Sequence, residues 1–124
     1  MAQNKKHRPK RADMQESKTI TLADLNGSIG ATVNLIIPAE RQADLPESQA
    51  FWYKVKGLFV HESKLGKGYA HKVLVLAKKW ADANGVGLFS VIDPFGDPGD
   101  RQLVRFYEGE GFTSRGRLLY RRSQ

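Results

Sequence analysis

Cysteine is absent from this chain. That removes a disulfide framework, a thiol nucleophile and a thiolate metal site in one step. No apolar run approaches the roughly 20 residues that a membrane span requires, and the N-terminus lacks a signal peptide's apolar segment. These absences predict a soluble, cytoplasmic protein without a membrane partner. Acid is scarce beside base: 13 Asp+Glu face 20 Lys+Arg, a formal net charge of +7. Much of the excess lies at the ends, in "KKHRPKR" (residues 5–11) and in Arg115, Arg117, Arg121 and Arg122. Such charge attracts phosphate-rich partners, so nucleic acid is one partner class for the tail. No aromatic side chain interleaves those N-terminal charges, which argues against stacking of single strands there. A solvated tail and a charged edge strand explain the same residues without a ligand.

What is present fits one domain, and 124 residues are enough for a core without staples. Residues 1–16 are polar, basic and aperiodic, and are expected to form a disordered tail; residues 17–124 form the folded domain. "KTITLAD" and "SIGATVNLIIP" are β-rich runs joined through Asn26-Gly27, a strong hairpin signal. Pro38 closes the second run, residues 39–50 form a connection, and "FWYKVKGLFVH" (residues 51–61) supplies a third strand. A helix is predicted over about residues 68–84. Tyr69, Val73, Leu76, Ala77 and Trp80 form its apolar stripe, Lys72, Lys78 and Lys79 turn away, and Asn84-Gly85 stops it. "VGLFSVI" (residues 86–92) has the near-continuous apolarity of a strand buried on both faces. Strand, helix and strand in this length imply a right-handed crossover between parallel neighbours. Asp100 is placed as the cap of a short helix over about 101–110, with Leu103, Phe106 and Tyr107 as its stripe. "FTS" and "RLLYRR" close the sheet. The fold class is therefore α/β, a mixed sheet with one parallel crossover.

The stretch "ESKLGKGYAHKVL" (residues 62–74) sets two glycines directly before the first helix. A Walker loop is excluded, because Gly66-Lys67 is followed by Gly68 rather than Ser or Thr, and Ala70 and His71 are out of register for a dinucleotide fingerprint. Free N–H groups at the helix start carry positive partial charge. Gly66 and Gly68 remove the side chains that would hold a pyrophosphate away from them, and Lys64 and Lys67 add cationic charge. An ordinary strand-to-helix turn is the competing reading.

The surroundings carry more. "LFVHESKLGKGYAHKVLVLAKKWA" resembles the cofactor segment of the GNAT superfamily of N-acetyltransferases, whose pattern is Arg/Gln-x-x-Gly-x-Gly/Ala between a strand and a helix. Here it runs Leu65-Gly66-Lys67-Gly68-Tyr69-Ala70, with Leu65 in place of Arg or Gln. "DRQLVRFYEGEGF" is similar to the family's second signature, a short helix with Phe-Tyr that ends in Gly-Phe, and "ITLADLNGSIGATVNLII" resembles the hairpin before the cofactor strand. The resemblance covers about residues 17–122. It implies a mostly antiparallel sheet with one β-α-β crossover and a splayed cleft that holds acetyl-CoA. Leu58, Phe59 and Val60 would pair with pantetheine, and Leu65, Gly66, Lys67, Gly68, Tyr69 and Ala70 would meet the pyrophosphate.

The resemblance also implies a reaction, transfer of an acetyl group to a primary amine by direct attack on the thioester. A backbone N–H near Val60 would hold the oxyanion, and Tyr107 would protonate the leaving thiolate. His61 or Glu62 would act as a base through water, or serve only as turn residues. Asp93, Asp97 and Asp100 would attract a cationic amine, or only shape their loop; no metal site is expected. The family's first strand and two helices, which help wall the acceptor site, have only the basic tail in their place. A homodimer or protein partner completes the site, or the site is open to a large substrate, or the chain is a catalytically weakened module that binds nucleic acid or protein.

Overall fold

The computed structural model describes residues 16–38, 42, 44–46, 48–49 and 51–124. The basic tail lies outside the described residues apart from Glu16, as does part of the 39–50 connection. β1 (Ser17–Ala23) and β2 (Ile29–Ile36) form the expected hairpin. The Asp24 carboxylate accepts from the N–H groups of Asn26 (2.8 Å) and Ser28 (2.9 Å), and Gly27 takes φ 84°, where a side chain would strain. β3 (Trp52–Val60) pairs antiparallel with β2. The crossover helix α1 (Tyr69–Asn84) returns the chain to β4 (Gly87–Val91), parallel to β3. Gly85 at φ 66° ends α1 with its N–H on the Ala81 and Asp82 carbonyls. α2 (Pro98–Gly109), β5 (Thr113–Arg115) and β6 (Leu118–Arg121) complete a six-stranded sheet ordered β1-β2-β3-β4-β6-β5.

Alternation along the strands sends Ala31, Val33 and Leu35 of β2, Tyr53 and Val55 of β3, and Leu88 of β4 into one core with Val73, Leu74, Ala77 and Ala81 of α1. Val104 and Tyr107 of α2 join the same core. On the opposite face Leu45, Trp52, Phe89 and Leu118 make a smaller cluster. Four expectations need correction. Leu74, not Leu76, faces the core, because residues 73–77 are nearly all apolar and periodicity alone does not fix the phase. Lys78 is not turned to solvent; its ammonium donates to the Glu110 carbonyl (2.9 Å) and carboxylate (3.1 Å). Asp97, not Asp100, caps α2 by accepting from the Asp100 N–H (2.8 Å), with Pro98 opening the first turn. Leu103 lies partly exposed while Val104 takes its place in the stripe.

Two ion-pair systems tie the helices to the frame. Arg121 donates to both Asp82 oxygens (2.8 and 3.0 Å), joining α1 to β6. Glu110 accepts from Lys78 and from His71 Nδ1 (2.6 Å), joining α1 to the end of α2. Burial pushes the Glu110 carboxyl up, but the His71 and Lys78 contacts outweigh it and hold it below the ordinary value. Among the described residues no helix is long and apolar enough to cross a membrane.

Candidate functional site

β3 and β4 pair over only three residues, Trp52↔Gly87, Tyr53↔Leu88 and Lys54↔Phe89. The cause lies on the far side of β3. Asn34 pairs with Gly57 and Leu35 with Val55, so Lys56 is an extra residue, a β-bulge. Beyond it β3 follows β2, whereas β4 follows β6 through Val91↔Leu118. The strands part, and about 20 Å of β3 runs on without a β4 neighbour.

The main chain facing that gap follows from ladder alternation. The His61 N–H donates to the Gly30 carbonyl (2.8 Å), so His61, Phe59 and Gly57 spend their amides on β2. The N–H and C=O of Leu58 and Val60 then point the other way, into the gap. On the opposite wall, Gly87 N–H donates to Phe51 O (2.9 Å) and Ile92 N–H to Arg117 O (2.9 Å). Val91 therefore also presents its amide to the gap, a contributor that the sequence reading did not name. Phe59 is different: its side chain is 60% exposed on the open face and lies over Gly57, where an added Cβ would come within 2.5 Å of the ring.

The gap leads toward the glycine turn. A 3-10 turn (Glu62–Lys64) follows β3, and His61 caps it, with Nδ1 accepting from the Ser63 N–H (3.1 Å). Gly66 and Gly68 both adopt left-handed φ, 74° and 80°, and a Cβ at either would enter open space. Gly68 is the N-cap of α1, and no side chain caps the helix. The N–H groups of Gly68, Tyr69 and Ala70 have no acceptor among the described residues. The sixteen-residue helix thus presents uncapped donors to solvent beside two side-chain-free positions.

Lys67 is exposed on this turn, but Lys64 is committed to Asp24 (3.3 Å), which lashes the turn to the β1–β2 hairpin. Burial pushes the Asp24 carboxyl up, and its bonds from Ser28, Asn26 and Lys64 together hold it below the ordinary value. The Tyr69 ring packs on Gly30, where a Cβ would lie 2.4 Å from a ring carbon, and the Lys64 and Lys72 ammonium groups sit 5.7 and 5.4 Å from its centroid. Leu65 is 63% exposed, so the position where the GNAT pattern has Arg or Gln offers no polar group.

Tyr107 is 2% exposed, its ring edge-on to Phe106 and Phe112 at 5.5 and 5.0 Å. No buried side-chain nitrogen or oxygen among the described residues lacks a partner, and the hydroxyl bonds to none of them, so it reaches accessible surface. Burial raises its pKa to about 12, so the phenol keeps its proton at neutral pH. The acidic loop is occupied with turn chemistry: Asp93 accepts from the Phe95 N–H (2.9 Å) and lies 3.8 Å from Arg117, and Asp97 caps α2. No cluster of metal-ligating side chains occurs among the described residues.

No family model matches the sequence, and no curated protein matches it. Solved structures do. A GNAT-family protein from Desulfovibrio desulfuricans superposes with a TM-score of 0.66 at 12% identity, over 86% of this chain and 69% of that one. A mutant of the BH1408 protein of Bacillus halodurans gives 0.59 at 17% identity, over 82% of this chain and 62% of its own. This chain thus spans about two thirds of those proteins' length. The anti-CRISPR protein AcrVA5 gives 0.56 at 17% identity and is covered over 99% of its length by 86% of this chain. A GNAT acetyltransferase from Staphylococcus aureus gives 0.62 at 14% identity, over 87% of this chain and 69% of that one. The mixed six-stranded sheet, its single parallel pair and these superpositions agree that the chain has the GNAT fold.

Proposed function

We propose that the chain is an acetyl-CoA-dependent N-acetyltransferase that acts on a primary amine. The observation that carries this is the gap between β3 and β4, faced by main-chain groups of Leu58, Val60 and Val91 and leading toward the uncapped start of α1. Extended main chain with unspent amides suits the amides of pantetheine, and the N–H groups of Gly68, Tyr69 and Ala70 suit a diphosphate. Open space at the Gly66 and Gly68 Cβ positions agrees with a bulky anion there. Lys67 would add charge at the rim.

Acetyl-CoA would supply the activated acyl group, a thioester; the chain's part is to hold and polarise. With a neutral amine as nucleophile, a C–N bond would form as the C–S bond breaks, and the Val60 N–H would stabilise the developing oxyanion. Tyr107 would supply the proton for the departing sulfur, and the new ammonium nitrogen would give one up to solvent. Positioning supplies much of the acceleration.

A second reading, a GNAT-fold binding module with weakened catalysis, draws on exposed Leu65 at the Arg/Gln position. Calorimetric titration with acetyl-CoA, followed by CoA release against small amines and lysine-bearing proteins, separates the two. Cofactor binding with acceptor-dependent thiol release supports the enzyme. Binding without release by any amine leaves the module, and no cofactor binding at all refutes the assignment of the cleft.

A further inference from the structure

We propose that the chain forms a two-fold dimer through the free edge of β1, joining two six-stranded sheets into one. Among the described residues β1 pairs on one side only, with β2. The Ile37 N–H donates to the Glu16 carbonyl (2.9 Å), so by alternation Lys18, Ile20 and Leu22 spend their amides on β2. The N–H and C=O of Ser17, Thr19 and Thr21 point outward. The opposite edge, β5, is only three residues long. β1 has seven, without proline, and its single register shift is at the far end, between Leu22 and Ala23. Among the described residues the one charged side chain on this edge is Lys18, and the register shift leaves residues 17–22 regular.

The edge complements itself. An antiparallel copy centred on Ile20 sets outward-facing Thr19 against outward-facing Thr21 of the other copy, so donors and acceptors meet. It also sets Ile20 against Ile20 and Lys18 against Leu22, so no like charges oppose each other. A two-fold axis normal to the sheet keeps both α1 helices on the same face. α1 lies over β1 and β2. His71 and Lys78 mark its flank toward α2, and Leu76 sits about 150° around the helix from them. Leu76, 36% exposed, therefore lies on the flank of α1 turned away from α2. The occupant fitted by the edge's backbone and side chains together is a second copy of the chain.

The test uses the full chain in sedimentation equilibrium and by cysteine cross-linking. The wild type is expected to be a dimer at micromolar concentration. Thr21→Pro removes an outward N–H without breaking the β1–β2 ladder, and should weaken the dimer at least about tenfold while circular dichroism is unchanged. Ile20→Cys places two cysteines in a non-hydrogen-bonded pair, about 4.5 Å apart at Cα and within disulfide range. Since the chain has no other cysteine, oxidation should give one cross-linked dimer, whereas Lys18→Cys should give little. A monomeric wild type at high concentration overturns the proposal, as does a dimer indifferent to a folded Thr21→Pro. If Thr21→Pro does not fold, the cross-links decide: equal yields from Ile20→Cys and Lys18→Cys also overturn it.

Discussion

Replacing Gly68 separates its conformational role from its proposed place in a phosphate cradle, because the fold contains a matched control. Gly68 has φ 80° and Gly27, at the hairpin tip, φ 84°, and an added Cβ at either meets nothing within 4 Å. Alanine at either site therefore costs the same left-handed strain, about 1–2 kcal/mol, with no steric term. Thermal melts of Gly68→Ala and Gly27→Ala should shift alike. Cofactor affinity should not: only Gly68→Ala places a methyl beside the N–H groups of Tyr69 and Ala70. Gly68→Glu goes further. A carboxylate about 5 Å from a phosphate charge, at an effective dielectric constant near 20, is repelled by about 3 kcal/mol, or roughly 200-fold in affinity. Isothermal titration with acetyl-CoA, on samples whose melts show them folded, reads both effects. Wild-type affinity in folded Gly68→Glu, or an equal loss in Gly27→Ala, refutes the placement.

Tyr107→Phe keeps the buried ring and removes the proton. Turnover of a verified acceptor should fall on the order of 10²-fold at unchanged cofactor affinity, measured where chemistry limits the rate; wild-type turnover there makes Tyr107 a packing residue. Val60→Pro removes an N–H that faces the gap rather than β2, so the fold should hold while kcat falls by about 10²–10³. A kcat equal to wild type in that variant means the oxyanion donor lies elsewhere. Glu110 should contribute to acid stability. Its folded pKa lies below its unfolded one, so its contribution is present above the ordinary carboxylate range and lost as pH falls through the folded value. Urea melts against pH should show that loss, and Glu110→Gln should cost about 1–3 kcal/mol at neutral pH while flattening the acid limb. An acid limb as steep as wild type in Glu110→Gln would assign it to other carboxylates such as Asp82, whose Arg121 pair also outweighs burial and lowers its pKa.

The parts of the fold legible in the sequence are those written in backbone-restricting residues or in unbroken patterns. Asn26-Gly27 gave the hairpin, Gly85 the helix stop, and residues 86–92 a strand whose Leu88, Phe89 and Ser90 are all buried. Phase and cap choice were harder. Residues 73–77 offer apolar side chains on too many headings for periodicity to choose Leu74 over Leu76. The sequence reading placed Asp100 as the cap of α2, whereas Pro98 directly after Asp97 is the local signal that marks Asp97. Ion pairs such as Lys78–Glu110 link residues 32 apart, and no local pattern encodes them.

The candidate site divides along the same line. Its glycines were visible because left-handed φ selects for them. Its walls were not, because Leu58, Val60 and Val91 contribute amides that any residue except proline supplies. What sets those amides free is the bulge at Lys56, a matter of register between β2 and β3 rather than of any side chain at the gap. Under the proposed function, a site of this kind would constrain few side-chain identities: two small turn residues, a core that holds the strands apart and one phenol. That physical economy is compatible with a fold shared at 12–17% identity. It also directs experiments on the cleft toward changes of backbone capacity, glycine to alanine and strand residue to proline, because side-chain truncation at Leu58 or Val60 leaves the main-chain groups that face the gap in place.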